Sequence, residues 1–150
     1  MKKIFVTRKL LKENEEKLKE LFDVKLNTKD KIYSAQEIID ESKDFDGILS
    51  SVTDPINAET ISKLSKSIKI IANGAVGFGN IDFKAARARN ITITNTPEVL
   101  TDATADIQIL LLLGASRKAY EGRILAETQN WKWSWDFLLG KQMSNKRLGI

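Results

Sequence analysis

The sequence contains neither cysteine nor histidine in its 150 residues. Without cysteine, the chain can form neither a disulfide framework nor a thiolate metal site. Without histidine, it lacks the side chain that most often acts as a general acid or base near neutral pH and most often binds zinc. We therefore expect no metal site and no histidine acid among these residues.

The chain also lacks a strong charge of one sign and a long hydrophobic run. Its formal net charge is +4, and its lysines are interleaved with glutamates, as in the pairs Glu13/Lys17 and Glu15/Lys19 on a predicted helix. No basic stripe with aromatics favours nucleic-acid binding. The longest apolar block, residues 107–115, is about half of a membrane span, and the first residues lack the pattern of a signal peptide. We expect a cytoplasmic protein that binds neither nucleic acid nor membrane.

What the sequence does have is a regular alternation of apolar runs and helical patterns. The apolar runs predict five strands, at residues 3–7, 23–27, 46–50, 67–72 and 91–94. Four helices are predicted between them, and Asn57 and Asn80 are the expected amino-terminal caps of the third and fourth. The first helix is expected to carry one apolar face, made of Leu10, Leu11, Leu18, Leu21 and Phe22. Strands separated by single helices form a parallel sheet with right-handed crossovers. The sequence therefore predicts an α/β, flavodoxin-like doubly wound domain over residues 1–96.

The pattern changes from Pro97 onward. Thr101 is the expected cap of a helix over residues 102–117 that is apolar nearly all round, which is typical of a helix buried between layers. An amphipathic helix is predicted over residues 119–128. Three tryptophans follow within residues 130–140, and clustered tryptophans are most often packing or interface anchors. A last strand is predicted to begin in the segment KRLGI, the final five residues of the sequence.

Three glycines fall within six residues of the segment ANGAVGFGNID, residues 72–82. Their order, G-x-x-G-x-G, differs from the dinucleotide fingerprint G-x-G-x-x-G, so the segment is not a pyrophosphate loop. Its place between a strand and a helix favours an anion site made of backbone N–H groups, with the positive end of the helix nearby. The alternative is a tight strand–helix turn whose glycines only satisfy positive φ angles. Spacing alone leaves both open.

The sequence resembles the D-isomer-specific 2-hydroxyacid dehydrogenases in three segments, ANGAVGFGNID, NITITNTPEVLTDATADIQILLLL and GKQMSNKRLGI. Within that family it is most similar to glyoxylate/hydroxypyruvate reductases, with phosphoglycerate dehydrogenase as a relative. The resemblance implies a substrate-binding domain followed by a Rossmann domain that binds NAD or NADP. Residues 1–96 then correspond to the substrate domain. Residues 97–150 correspond to a linker, an interdomain helix, a dimerisation arm and the start of the cofactor domain, which stops before its G-x-G-x-x-G.

The resemblance also implies roles for five residues. Val76 and Gly77 match positions whose backbone holds the carboxylate of a 2-oxo acid, and Val76 also faces the nicotinamide end of the cofactor. Leu100 matches an apolar wall of the substrate pocket. Thr104 matches a residue near the nicotinamide ribose, although its hydroxyl could instead bond to its own helical turn. Trp133 is implied to approach the substrate mouth of a partner subunit in a homodimer.

The implied activity is hydride transfer that reduces a small 2-oxo acid, of the glyoxylate or hydroxypyruvate type, to the D-2-hydroxy acid. In the family, an arginine orients the carboxylate and a histidine–glutamate pair supplies the proton. All three are expected in the part that follows residue 150, so we expect no catalytic group here and no activity from this chain alone. The family more often has aspartate where this chain has Gly79, so the stiffness of the loop is expected to differ.

Two other functions share this layout. One is a non-catalytic module that binds a carboxylate or a dinucleotide, or that dimerises; the full-length sequence would distinguish it through the arginine, glutamate and histidine. The other is a phospho-receiver domain, which needs aspartates at the ends of the first and third strands. Those positions are Thr7-Arg8 and Ser50-Ser51 here, which excludes a receiver.

Overall fold

The computed structural model describes residues 1–149, which divide into two compact units, Met1–Val99 and a second that begins at Leu100. The first unit contains five strands, β1 (Lys3–Val6), β2 (Asp23–Lys25), β3 (Gly47–Ser50), β4 (Ile70–Asn73) and β5 (Thr92–Thr94). Its four helices are α1 (Lys12–Leu21), α2 (Ala35–Glu41), α3 (Ala58–Lys63) and α4 (Phe83–Ala88). All paired strands are parallel, in the order β2-β1-β3-β4-β5. The predicted α/β fold is confirmed.

The core lies on one face of this sheet. The strand register places four side chains in a row across that face, those of Phe5, Ile48, Ile71 and Ile93. Helices α2, α3 and α4 cover the row with buried residues that include Ile38, Ile61 and Ala86. The ring of Phe5 is fully buried and meets the ring of Tyr33 edge to face, with 5.3 Å between the centroids.

The opposite face is only partly covered. Ile4, Leu49 and Ile70 project there, and Leu18 and Phe22 of the α1 region line the same apolar groove of about 380 Å³. No residue of α1 is buried. The expected apolar face differs in part from the structure, because Leu10 and Leu11 precede α1 and Phe22 follows it. Leu11 and Leu21 are more than half exposed.

Local hydrogen bonds explain where the helices begin. Ser34 and Glu37 form a reciprocal capping box at α2. The side chain of Asn57 accepts a hydrogen bond from the Thr60 N–H at α3, which confirms that predicted cap. The expected cap Asn80 is wrong, since the Asp82 carboxylate accepts from the Ala85 N–H at 2.8 Å and α4 begins three residues after Asn80.

The second unit consists of α5 (Thr101–Ser116), α6 (Ala119–Thr128) and a segment without helix or strand up to residue 149. The expected cap Thr101 is wrong, because Leu100 occupies the cap position without a side-chain bond. Residues 146–149 form no strand, since strand pairing needs a neighbour; Ile150, the last residue of that predicted strand, lies outside the described residues.

Helix α5 has no buried residue, although the sequence predicted a buried helix. A unit of two helices and an irregular segment offers too little apolar surface to cover a helix that is apolar on nearly every side. In the described part of the chain, no helix is both long enough and apolar enough to span a membrane.

Candidate functional site

The glycine-rich loop, residues 74–82, joins β4 to α4 at the carboxyl edge of the parallel sheet. Thr7 after β1 and Ser50 at the end of β3 lie at the same edge, and both are buried. Ligands of open α/β sheets bind outside this edge. The loop therefore lies where the fold favours a binding site.

The glycines of the loop are not there to satisfy positive φ angles, because no glycine among the described residues has one. A Cβ atom added at Gly77 or Gly79 would meet no other atom within 4 Å. Neither strain nor packing within this chain therefore requires glycine at these two positions. The turn-only alternative is wrong for its stated reason, since these glycines do not satisfy positive φ angles, and the space beside their backbone is open.

Three consecutive carbonyl groups of the loop are held by the protein. The Thr96 N–H donates to the Ala75 oxygen at 3.0 Å. The Asn95 side-chain amide donates to the Val76 oxygen at 2.9 Å, and the Asn73 amide donates to the Gly77 oxygen at 2.8 Å. The orientation of three successive peptide groups is thus set by hydrogen bonds from Thr96, Asn95 and Asn73.

Holding a carbonyl also fixes the N–H of the following residue, because the two groups point in opposite directions in a planar trans peptide. The three N–H groups fixed in this way belong to Val76, Gly77 and Phe78. None of them donates a hydrogen bond within the described residues, and all three residues are exposed. The loop thus presents three unused donors, which suits a carboxylate that accepts several hydrogen bonds.

The sequence-based expectation also placed the positive end of the following helix close to this site. Helix α4 begins at Phe83, five residues after Phe78, and the Asp82 carboxylate accepts from the Ala85 N–H in its first turn. The donors of the candidate site are therefore neutral backbone groups of the loop alone.

A buried polar network supports the loop at its far end. The Asn80 amide donates to the backbone oxygens of Ser51 and Asp54, at 3.0 and 3.2 Å. Asp54 is 1% exposed, and its Oδ2 accepts from the Thr7 hydroxyl at 2.5 Å and from the Ser51 N–H at 2.7 Å. Sequence reasoning missed this network. The only indication of this network in the sequence was a polar residue directly after each buried strand.

Arg8, at the same edge, is already paired. Its guanidinium donates to both carboxylate oxygens of Asp30, at 2.8 and 2.9 Å, and also to the Thr53 hydroxyl. The Arg8 hydrogen bonds, followed by one from the Lys9 N–H, hold the pKa of Asp30 well below its usual range. Arg8 is thus committed to a structural pair and is not a free cation for an incoming carboxylate.

The other predicted site residues lie in the second unit. Leu100 precedes α5 and is 55% exposed, and Thr104 is exposed in the first turn. The Thr104 hydroxyl makes no hydrogen bond within the described residues, so its expected alternative role, a bond to its own turn, is not seen. Trp133 is 63% exposed, and its ring meets that of Trp135 edge to face, with 5.1 Å between the centroids.

Side chains that could bind a metal do not cluster. The described residues contain no group of three or more aspartates and glutamates placed to hold a metal ion, and the chain has no histidine or cysteine. The chemistry of the site is therefore that of hydrogen-bond donors.

Comparison with known proteins identifies the family of this chain. Residues 4–132 match the model of the D-isomer specific 2-hydroxyacid dehydrogenase catalytic domain. Glyoxylate reductase of Korarchaeum cryptofilum is 38% identical over 150 residues, which are 99% of this chain and 45% of that protein. Glycerate dehydrogenase of Hyphomicrobium methylovorum is 35% identical and is covered to 47% of its length. The chain thus spans about half the length of the curated relatives it matches.

Solved structures show the same relation. A crystal structure of a Polaromonas protein, assigned to the NAD-binding D-isomer specific 2-hydroxyacid dehydrogenases, superposes with a TM-score of 0.87 at 34% identity. The match covers 99% of this chain and 47% of that one. The five-stranded parallel sheet and its helices are therefore those of this group of proteins.

Proposed function

Because this chain belongs to the D-isomer-specific 2-hydroxyacid dehydrogenase family, we propose that it forms the substrate-binding half of an NAD(P)-dependent oxidoreductase. The proposed reaction reduces a small 2-oxo acid, such as glyoxylate or hydroxypyruvate, to the D-2-hydroxy acid. The observation that carries the proposal is the row of three unused N–H donors at residues 76–78. One of these residues is Gly77, where no contact within the described residues requires a glycine.

In this proposal, the loop holds the carboxylate of the substrate. The N–H groups of Val76 and Gly77 donate to its oxygens, and the missing side chain of Gly77 lets the carboxylate approach the backbone closely. The family resemblance adds Leu100, whose side chain is 55% exposed, as a candidate apolar wall of the substrate pocket. Neutral donors fix where the carboxylate lies without adding a buried charge, which would be costly to desolvate.

Residues of the second unit are proposed to serve the cofactor and the dimer. The free hydroxyl of Thr104 can donate to or accept from a sugar hydroxyl, which suits the nicotinamide ribose. The reduced nicotinamide, when bound, supplies the hydride. Trp133 has an exposed ring that is available to a second subunit. The proposed homodimer would place this ring at the substrate mouth of the partner.

In this proposal, as the family resemblance implies, the proton and the charge that polarises the carbonyl come from the rest of the full-length protein. The chain has no histidine, and Arg8 is already paired with Asp30. We therefore expect residues 1–150 alone to show no reductase activity. Measuring this activity distinguishes two cases: a site that the rest of the protein completes, and a site that residues 1–150 complete without a histidine.

The test uses the full-length protein with glyoxylate or hydroxypyruvate and either NADH or NADPH, and follows the loss of reduced-cofactor absorbance. Turnover with one of these acids is expected, together with no turnover by residues 1–150 under the same conditions. Full-length protein that binds cofactor without turning over any 2-oxo acid would instead support the non-catalytic binding module. Turnover by residues 1–150 alone would contradict the incomplete site.

A further inference from the structure

We propose that Asn73 is the positioning residue of the glycine-rich loop. Its buried side chain fixes the Gly77–Phe78 peptide, so that the free N–H groups of the loop stay turned toward the substrate carboxylate. This inference rests on the proposed function, because it takes the loop to be the carboxylate site.

Asn73 is the last residue of β4 and is only 2% exposed. Its Oδ1 accepts from the Ser50 hydroxyl at 3.1 Å, and its Nδ2 donates to the Gly77 oxygen at 2.8 Å. Ser50, at the end of the neighbouring strand β3, is 3% exposed. A buried amide is costly unless it is hydrogen-bonded, and here both ends of the amide are used. The pair therefore connects two rigid strands to a single point of the loop.

That point is the one where the loop most needs support. Gly77 and Gly79 flank Phe78, and glycine has the broadest choice of backbone angles. The Phe78 N–H is trans to the Gly77 oxygen, so releasing this oxygen would also release the N–H. Asn95 holds the preceding peptide, but its side chain is less buried than that of Asn73. Because Asn73 already orders the loop, less conformational entropy is lost when a ligand binds there.

The decisive variant is Asn73→Asp in the full-length protein. Aspartate keeps the size of the side chain and the acceptor for Ser50, but places an oxygen where the donor to Gly77 was. We expect the KM for the 2-oxo acid to rise by about tenfold, the range of one hydrogen bond, with smaller changes in kcat and in the KM for the cofactor. The ratio of variant to wild-type KM should fall as the pH is lowered, because a protonated carboxyl can again donate to Gly77.

A matched control is Asn27→Asp. Asn27 is also a buried amide, 4% exposed, and its Nδ2 donates to the backbone oxygens of Thr7 and Lys31, both at 2.7 Å. It lies after β2, and two strands, β1 and β3, separate β2 from β4 in the sheet. Its substitution should lower stability without changing the KM. Ser50→Ala is the milder second variant, should Asn73→Asp fail to fold, and should raise the KM about twofold to threefold.

The outcomes separate this inference from the proposed function. If the wild type reduces a 2-oxo acid but folded Asn73→Asp keeps the wild-type KM, only the positioning role is wrong. The positioning role is also wrong if Asn27→Asp raises the KM as much as Asn73→Asp does. It is wrong, too, if the rise in KM caused by Asn73→Asp does not change with pH. If the wild type shows no turnover, titration with oxamate, an unreactive carboxylate, replaces the KM. A wild type that neither reduces a 2-oxo acid nor binds oxamate contradicts both proposals.

Discussion

The glycine at position 77 gives the sharpest test of the carboxylate site. Substitution by valine should leave the loop folded, because Gly77 does not have a positive φ and a Cβ there meets nothing within 4 Å. Removing a glycine also restricts the unfolded chain, which commonly stabilises a compatible position by about 0.4–1 kcal/mol. An effect on substrate binding would therefore not come from a damaged fold.

The expected loss of binding follows from the hydrogen bonds at stake. The valine side chain would occupy the space through which the carboxylate approaches the N–H groups of Val76 and Gly77. A hydrogen bond to a charged group contributes about 1.5–3 kcal/mol, so losing one should raise the KM for the 2-oxo acid roughly tenfold to a hundredfold. The KM for the cofactor should change much less.

Steady-state kinetics of the full-length protein, with Gly79→Val as the control, checks this prediction. Gly79 lies in the same loop with the same open surroundings, but the family resemblance places no carboxylate contact there. Its substitution should leave the KM within about threefold of the wild type, less than the loss of one such hydrogen bond. Equal effects of the two substitutions, or an unchanged KM in folded Gly77→Val, would refute the assignment of the loop.

The remaining predictions concern stability and assembly. Phe5→Ala should lower the free energy of unfolding by about 3–5 kcal/mol, because it empties the centre of the core; urea unfolding measures this. The Lys31 hydrogen bond, with those from Ser34, lowers the pKa of Glu37 to about 2. Since this folded pKa lies below the ordinary value of 4.5, the stabilisation is present above that value and is lost as pH falls toward 2. Unfolding midpoints of the wild type and Glu37→Gln should therefore converge between pH 5 and 2, about the interval set by these two pKa values. Finally, a triple substitution to serine should convert a full-length dimer into monomers on sedimentation, because it removes three exposed rings, those of Trp131, Trp133 and Trp135.

The sequence predicted the sheet well because its information is local and periodic. Runs such as KIFVT and SIKIIA alternate with helical patterns, and parallel order follows from the crossovers. Helix starts were less predictable, because a cap depends on where the preceding loop ends. Asn80 and Asp82 are both residue types that cap helices well. In the structure, the Asn80 amide instead donates to the backbone oxygens of Ser51 and Asp54, in the segment that follows β3.

The candidate site was predictable only in part. The glycines and the strand end indicated the place, and the family resemblance indicated Val76 and Gly77. The side chains that hold the loop could not be read from spacing, because Asn73 and Asn95 are 22 residues apart in the sequence and meet the loop only in the folded sheet. Long-range pairing of this kind leaves no periodic pattern.

Under the proposed function, the neutrality of the loop determines what these residues can contribute to catalysis. Its donors are backbone N–H groups, and the nearby cation Arg8 is held by Asp30. Donors that bind the carboxylate equally in the ground state and in the transition state affect the KM and leave kcat nearly unchanged. A positive charge or an acid that acts on the carbonyl would instead act on kcat. Substitutions in residues 73–80 should therefore change how tightly and where the substrate is held, while substitutions that mainly lower kcat should fall outside residues 1–150.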